Sequence, residues 1–229
     1  MKKNILLIGG EGFIGRNISS VLSDNFNCSS IGIKKSIFLE RKDSFIKGNP
    51  YKNKLNINFD VYIHLIDNKI SNNQFEEEEK KLIDNLNIKK GNHLILFSSA
   101  IIYTNPNSPY GKRKLKLEKI YEEYSKKNSV NLTIFRLFNT YGKYQIPYKQ
   151  GSLIANIFYN YINNIPIEIN DINTKRDFIY AKDIGKFIKY CIENRFYGKT
   201  DLAAEKIITI KELLLIIKKS NRFQNINNL

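Results

Sequence analysis

The chain has 229 residues, 42% of them hydrophobic, and a formal net charge of +15 at pH 7. That apolar fraction suits a globular domain and excludes a disordered chain, and no apolar stretch reaches the ~18 uninterrupted residues of a membrane-spanning helix, so a cytoplasmic protein that makes no membrane contact is expected. The positive charge suits anionic ligands such as nucleotides, yet no basic run is interleaved with aromatics, so nucleic acid is not expected as a partner.

Lysine carries most of that charge, and with the abundant asparagine and isoleucine it reads as compositional bias as much as a binding footprint. Two cysteines, Cys28 and Cys191, lie far apart in apolar surroundings and are expected to be reduced core thiols, with no metal site.

In chain order, KNILLI at 3–8 is an apolar run stopped by glycines, which predicts a buried strand entering a turn. A helix is predicted over 13–23 from Ile14, Ile18, Val21 and Leu22. Strands follow at 28–33, 44–47 and 60–66, then a charged helix near 74–89 and a strand at 93–98. Leu117, Ile120, Tyr121 and Tyr124 predict a helix over 109–126, ahead of a strand at 131–136. Strands alternating with helices predict an α/β fold, a Rossmann-type doubly wound parallel sheet covered on both faces. After residue 142 the rhythm changes: a helix at 151–162, a short strand at 166–169 and helices at 181–193 and 209–219. The expected division is a sheet domain at 1–142, a smaller lobe threaded back onto the sheet at 143–219 and a polar tail at 220–229.

The first motif is GGEGFIG at 9–15, between the first strand and the first helix. Gly9 permits a tight turn, Gly12 lets backbone approach a phosphate, and Gly15 lets the helix pack close to the strand. The helix N-terminus then offers free N–H groups to an anion. Phe13 and Ile14, within the motif, join the three glycines as cofactor-binding candidates. NAD-binding folds place an acid at the end of the second strand to hold the adenosine ribose. Here that place holds Lys34 and Lys35, with no carboxylate before Glu40. Two lysines suit a 2′-phosphate, so NADP(H) is expected, with NAD as the alternative.

The second motif joins Ser99, at the end of a sheet strand, to Tyr110 and Lys114, four apart on one helix face. A free phenol has a pKa near ~10 and needs help to exchange protons at neutral pH; an adjacent ammonium favours the phenolate. Ser99 can hydrogen-bond a substrate oxygen at the sheet edge where such folds bind ligands.

Five stretches, GGEGFIG, FSSAIIY, YGKRK, RLFNTYG and RDFIYAKDI, occur in the same order as in the extended short-chain dehydrogenase/reductases. The chain resembles their NAD(P)-dependent nucleotide-sugar epimerase/dehydratase group over residues 3–219. The resemblance implies that Ser99, Tyr110 and Lys114 are catalytic, that Lys114 also holds cofactor ribose, and that a nucleotide-diphosphate sugar is the substrate. It implies substrate-phosphate contacts for Asn139 and Arg176, the alternatives being a turn cap and an ion pair with Asp177 or Asp183. Asn49 stands where relatives carry an aspartate touching adenine, Lys69 could reach ribose or phosphate, and His64 is expected to be a packed core histidine. Pairing of two copies through the helices at 74–89 and 109–126 is a family habit.

Departures refine the expectation. Dehydratases of this group carry an acid–base pair just after the serine, usually Asp-Glu; here Ala100 and Ile101 stand there, which argues against elimination of water. Tyr110 follows Ser99 by eleven residues, a short loop resembling that of the 4-ketoreductases that form paratose and abequose. The expected reaction is therefore reduction of an NDP-4-keto-6-deoxyhexose, for surface-polysaccharide sugar synthesis. The alternatives are an epimerase with tightly held NAD and a non-catalytic dinucleotide-binding protein. Ile66 and Asp67 add bulk and negative charge where relatives keep small residues, and relatives extend well beyond this C-terminus, leaving the substrate lobe shortened.

Overall fold

Strand β1, Asn4–Ile8, is buried along both faces because its side chains alternate between two cores. Leu6 and Ile8 join one cluster, Ile5 and Leu7 the other. A run of apolar residues with no polar alternation has this one stable use in a sheet, covered by helices on both sides. The structure, a computed structural model, describes residues 1–34, 44–67, 72–149 and 152–219.

Around β1 a seven-stranded sheet is assembled from β2 (Asn27–Gly32), β3 (Ser44–Lys47), β4 (Val61–His64), β5 (His93–Ser99), β6 (Asn131–Leu137) and β9 (Gly198–Leu202). Its order is β3-β2-β1-β4-β5-β6-β9, and every pairing is parallel. The strand order reverses direction between β1 and β4, which opens a crevice at their C-terminal ends. Helices α1 (Phe13–Leu22) and α6 (Ala181–Glu193) pack on one face, while α2 (Asn72–Asn85) and α4 (Pro109–Asn128) pack on the other. A single turn, α3 (Ile101–Thr104), leads from β5 toward α4.

The remaining elements are a three-stranded sheet ordered β10 (Ile207–Thr209), β8 (Lys175–Tyr180), β7 (Asn139–Tyr141), and the helices α5 (Leu153–Ile162) and α7 (Ile210–Lys219). Ile154, Ile157, Ile210, Leu213, Leu214 and Ile217 form their shared core. The strand expected at 166–169 does not form: Ile167 and Ile169 pack against this lobe core with no ladder partner among the described residues. Residues 175–180, the RDFIY stretch, supply a strand there instead.

Candidate active site

The glycine turn forms the floor of the site. Gly9 has φ +86°, a conformation that favours glycine. A Cβ on Gly15 would lie 2.6 Å from the Cα and the oxygen of Gly10, so α1 can approach the turn only without one. The Gly12 amide donates to the Gly9 carbonyl at 3.1 Å, and Gly12 N-caps α1 without a side-chain cap of its own. The first-turn amides of α1 are thus left for an anion.

The helix carrying the phenol is started by Ser108, whose hydroxyl accepts from the Gly111 amide at 3.0 Å, with Pro109 in the first turn. Tyr110 and Lys114 then face the sheet edge, and the Lys114 ammonium lies 5.4 Å from the Tyr110 ring centroid. Lys114 is buried and donates to the Phe97 carbonyl at 3.4 Å. Ser99 ends β5, with its hydroxyl accepting from the Ile101 amide at 3.3 Å. Behind this set a buried carboxylate ties the strand to the helix. Glu118 accepts from Ser98 at 2.6 Å and takes two bonds from Arg136, Nε at 3.1 Å and Nη2 at 2.9 Å. Lys199 lies 2.9 Å from the same carboxylate. Burial pushes the Glu118 carboxyl up, but Arg136, Ser98 and Lys199 outweigh it and hold the group below the ordinary carboxylate range.

One cleft of about 1390 Å³ joins the glycine turn to Ser99, Tyr110 and Lys114. Gly9, Gly12, Phe13, Ile14 and Gly15 line one end, Ser99, Tyr110 and Lys114 the middle, and Asn139 and Arg176 the other end. A glycine cradle that a Cβ would fill, opening into a cleft beside a Tyr/Lys pair, fits a dinucleotide. A family model described as "NAD dependent epimerase/dehydratase family" matches residues 5–202.

The chain belongs to that family.

Among relatives, the bifunctional polymyxin resistance protein ArnA of Wigglesworthia glossinidia brevipalpis is 29% identical over 91% of this chain, which spans 38% of that protein. A Methanocaldococcus jannaschii protein named "Putative UDP-glucose 4-epimerase" is 28% identical over 96% of this chain and 83% of its own length. In fold, the chain is similar to the UDP-N-acetylglucosamine 4-epimerase of Methanobrevibacter ruminantium M1, with TM-score 0.75 and 24% identity over 95% of this chain and 82% of that one.

Not every residue expected in the site lines the cleft of this family member. Lys34 is solvent-exposed just past β2 and is not among the cleft residues; Lys35 and Lys69 lie outside the described residues. Asn49 is spent on a local turn, its side-chain oxygen accepting from the Tyr51 amide at 3.0 Å, and it too is absent from the cleft wall. Asn139 reaches the wall while its amide donates to the Asp177 carbonyl at 3.1 Å. Arg176 is exposed there, and its one hydrogen bond among the described residues is to the neighbouring Lys175 carbonyl, at 2.9 Å. Asp177 instead takes the amides of Ala204 and Lys206, at 2.7 and 3.0 Å, which keeps Arg176 free of it. His64 is buried at 3.4 Å from Glu79 and tilted against the Tyr121 ring, on the core side of the sheet.

The cleft residues that escaped the sequence reading as site candidates include Arg113, Glu11 and Asp67. Arg113 follows Tyr110 by three and so shares its face of α4; its guanidinium lies 5.9 Å from the centre of the phenol ring, and its buried Nε has no hydrogen-bond partner among the described residues. Glu11, inside the glycine turn, accepts a 2.8 Å bond from Ser30 and so holds a carboxylate against β2, the strand whose own tip lacks one. Asp67 stands 3.5 Å from the Lys114 ammonium. Of the two bulky residues after β4, Ile66 packs behind the turn, 2.9 Å from where a Gly9 Cβ would be, and Asp67 enters the cleft.

Proposed function

We propose that this chain is a nicotinamide-dependent oxidoreductase of nucleotide sugars, reducing the 4-keto group of an NDP-4-keto-6-deoxyhexose. The observation that carries this reading is the convergence of Ser99, Tyr110 and Lys114 in the cleft that begins at the glycine cradle. A bound nicotinamide dinucleotide supplies the hydride; the chain's own residues do the rest. Tyr110 is positioned to give its phenolic proton to the ketone oxygen, and Ser99 to donate a hydrogen bond to the same oxygen. The Lys114 ammonium stabilises negative charge on the phenol oxygen as the proton leaves. Asn139 and Arg176, at the far end of the cleft, would hold the diphosphate of the sugar nucleotide, Arg176 by its guanidinium fork. Residues 143–219 serve as the substrate lobe in this reading, and the protein works in the cytoplasm. Among the described residues no helix is long and apolar enough to cross a membrane. Elimination of water is not proposed, because the residues after Ser99 are Ala100 and Ile101.

One observation favours a second reading. Exposed Lys34 suits the 2′-phosphate of NADP(H), but Glu11 is fixed by Ser30, and a carboxylate there suits free ribose hydroxyls and repels a 2′-phosphate. Retained NAD would make the chain an epimerase. The test is spectrophotometry of purified protein with NADH or NADPH and an NDP-4-keto-6-deoxyhexose, alongside mass spectrometry of cofactor carried through purification. Reduction predicts net consumption of the reduced cofactor; epimerisation predicts bound NAD, sugar interconversion and no net consumption. Tyr110→Phe is expected to lower turnover by about 10²–10⁴-fold in either case. Dinucleotide binding without turnover of any sugar nucleotide would leave a non-catalytic binder.

A further inference from the structure

Helix α7, IKELLLIIKK, carries an unbroken apolar run at 213–217, so its middle is apolar all round. Ile210, Leu213, Leu214 and Ile217 turn inward and share the lobe core with α5. At about 100° per residue, the opposite line of the helix passes through Glu212, Leu215, Ile216 and Lys219. All four are exposed, Leu215 at 49% and Ile216 at 54%. The outer faces of α2 and α6 carry ion pairs instead, such as Glu77 with Lys81 and Asp183 with Lys186. A helix apolar on every side is one that is covered on every side.

The charges on this line select what covers it. Glu212 stands three residues before Leu215, and Lys219 three after Ile216, so the apolar middle ends in a carboxylate on one side and an ammonium on the other. Turned end for end, the line matches itself: Leu215 meets Ile216 of a second copy, and Glu212 meets its Lys219. A parallel pair would set Glu212 against Glu212 and Lys219 against Lys219. Glu212 is already oriented. Its Oε2 accepts from the Thr209 amide and hydroxyl, at 2.7 and 2.8 Å, while its own amide donates to the Thr209 oxygen at 3.1 Å. This capping box fixes the start of α7 and leaves Oε1 for another donor. Lys219 makes no hydrogen bond or ion pair among the described residues.

We infer that α7 is a self-association surface whose partner is a second copy of this chain, seated antiparallel on Leu215 and Ile216 with a Glu212–Lys219 ion pair at each end. The geometry is a closed twofold contact, in which the apolar middle supplies attraction and the charges set direction. Two apolar side chains from each copy make a small interface, below the ~1,000 Å² of a permanent complex, so the pairing is concentration-dependent. Ile210, at the start of α7, lines the cleft, so the pair braces one wall of it. Pairing through α2 and α4 would be a separate step, since those helices pack on a different core.

The test is sedimentation velocity of the full chain over a wide concentration range, as wild type, Leu215→Lys and Lys219→Glu, with circular dichroism melts of each. Leu215→Lys is expected to weaken one association step about a hundredfold, because two leucines at the twofold contact become charges. Lys219→Glu is expected to weaken the same step about tenfold, since both end pairs turn from attraction to repulsion, and high salt should shrink that difference. In dilute solution both variants should melt within about 3 °C of wild type, as exposed substitutions do. An association step that neither variant weakens, or no association of wild type at all, would overturn the proposal. Tighter association of Lys219→Glu would overturn the antiparallel arrangement, because lysine would then face lysine. A large loss of Tm in dilute Leu215→Lys would overturn it as well, by placing the cover of α7 within the same chain.

Discussion

Replacing Glu118 by Gln tests whether the helix that carries Tyr110 and the strand that ends in Ser99 are held by charge. The substitution keeps shape and removes one negative charge from a position 3% exposed. Ser98 at 2.6 Å, Arg136 through two bonds and Lys199 at 2.9 Å all lose an anionic acceptor. Hydrogen bonds to a charged group count for ~1.5–3 kcal/mol each, and breaking a buried pair from one side costs ~3–5 kcal/mol. Two partners have somewhere else to turn: Arg136 donates to the Tyr103 hydroxyl at 2.7 Å, and Lys199 lies 2.7 Å from Glu122. The loss is therefore placed near the low end, about 3 kcal/mol, or ~6–12 °C in Tm for a chain of this size. The pH dependence gives a second reading of the same quantity. The Glu118 carboxyl is held below its ordinary range in the fold, so its contribution is present above the unfolded value of 4.5 and is lost as pH falls through the folded value. Melting by circular dichroism should thus show a wild-type advantage at neutral pH that is smaller at a second, acid pH below 4.5. Because Ser98 adjoins Ser99 and Glu118 lies one turn beyond Lys114, kcat should fall about tenfold with substrate binding nearly unchanged. A Tm loss below about 2 °C, or a penalty equal at both pH values, would refute the reasoning.

Further expectations follow from other buried groups. His93 is 6% exposed, bonded to Thr133 at 2.8 Å, and burial, with Lys3 adding, lowers its pKa from 6.5 to about 4. Neutral His93 then contributes ~3 kcal/mol that is complete above pH 6.5 and lost as pH falls toward 4, so His93→Gln should flatten the stability curve across that window. Burial pushes the Cys191 thiol up to about 11, and Cys28 is buried too, so neither should react with a thiol reagent until the protein unfolds. Gly15→Val should abolish dinucleotide binding in a titration and lower Tm, because the added Cβ would collide with Gly10 backbone.

Local chemistry made part of this protein legible without coordinates. The apolar run of β1 ending at Gly9 and the four-residue step from Tyr110 to Lys114 act over a few residues, and each formed where its residues dictate. Burial on two faces leaves its mark in composition, so the parallel sheet could be read from its central strands. Strand β9, GKTDL, escaped notice because an edge strand needs little apolar character; β6 recruits it by backbone pairing. The expected strand at 166–169 had alternating isoleucines but no neighbour, and alternation alone cannot supply a ladder.

The site divides in the same way. Residue types and spacing determined that a glycine turn and a Tyr/Lys pair exist, since each is carried by one continuous segment. What those segments face was decided by packing. Asp67 meets Lys114 because β4 and β5 are neighbours, Glu118 meets Arg136 because α4 lies across β5 and β6, and Glu11 meets Ser30 because β1 and β2 pair. Charges that act over a few ångströms depend on which strands adjoin, and strand order is a property of the folded sheet rather than of any one stretch of chain.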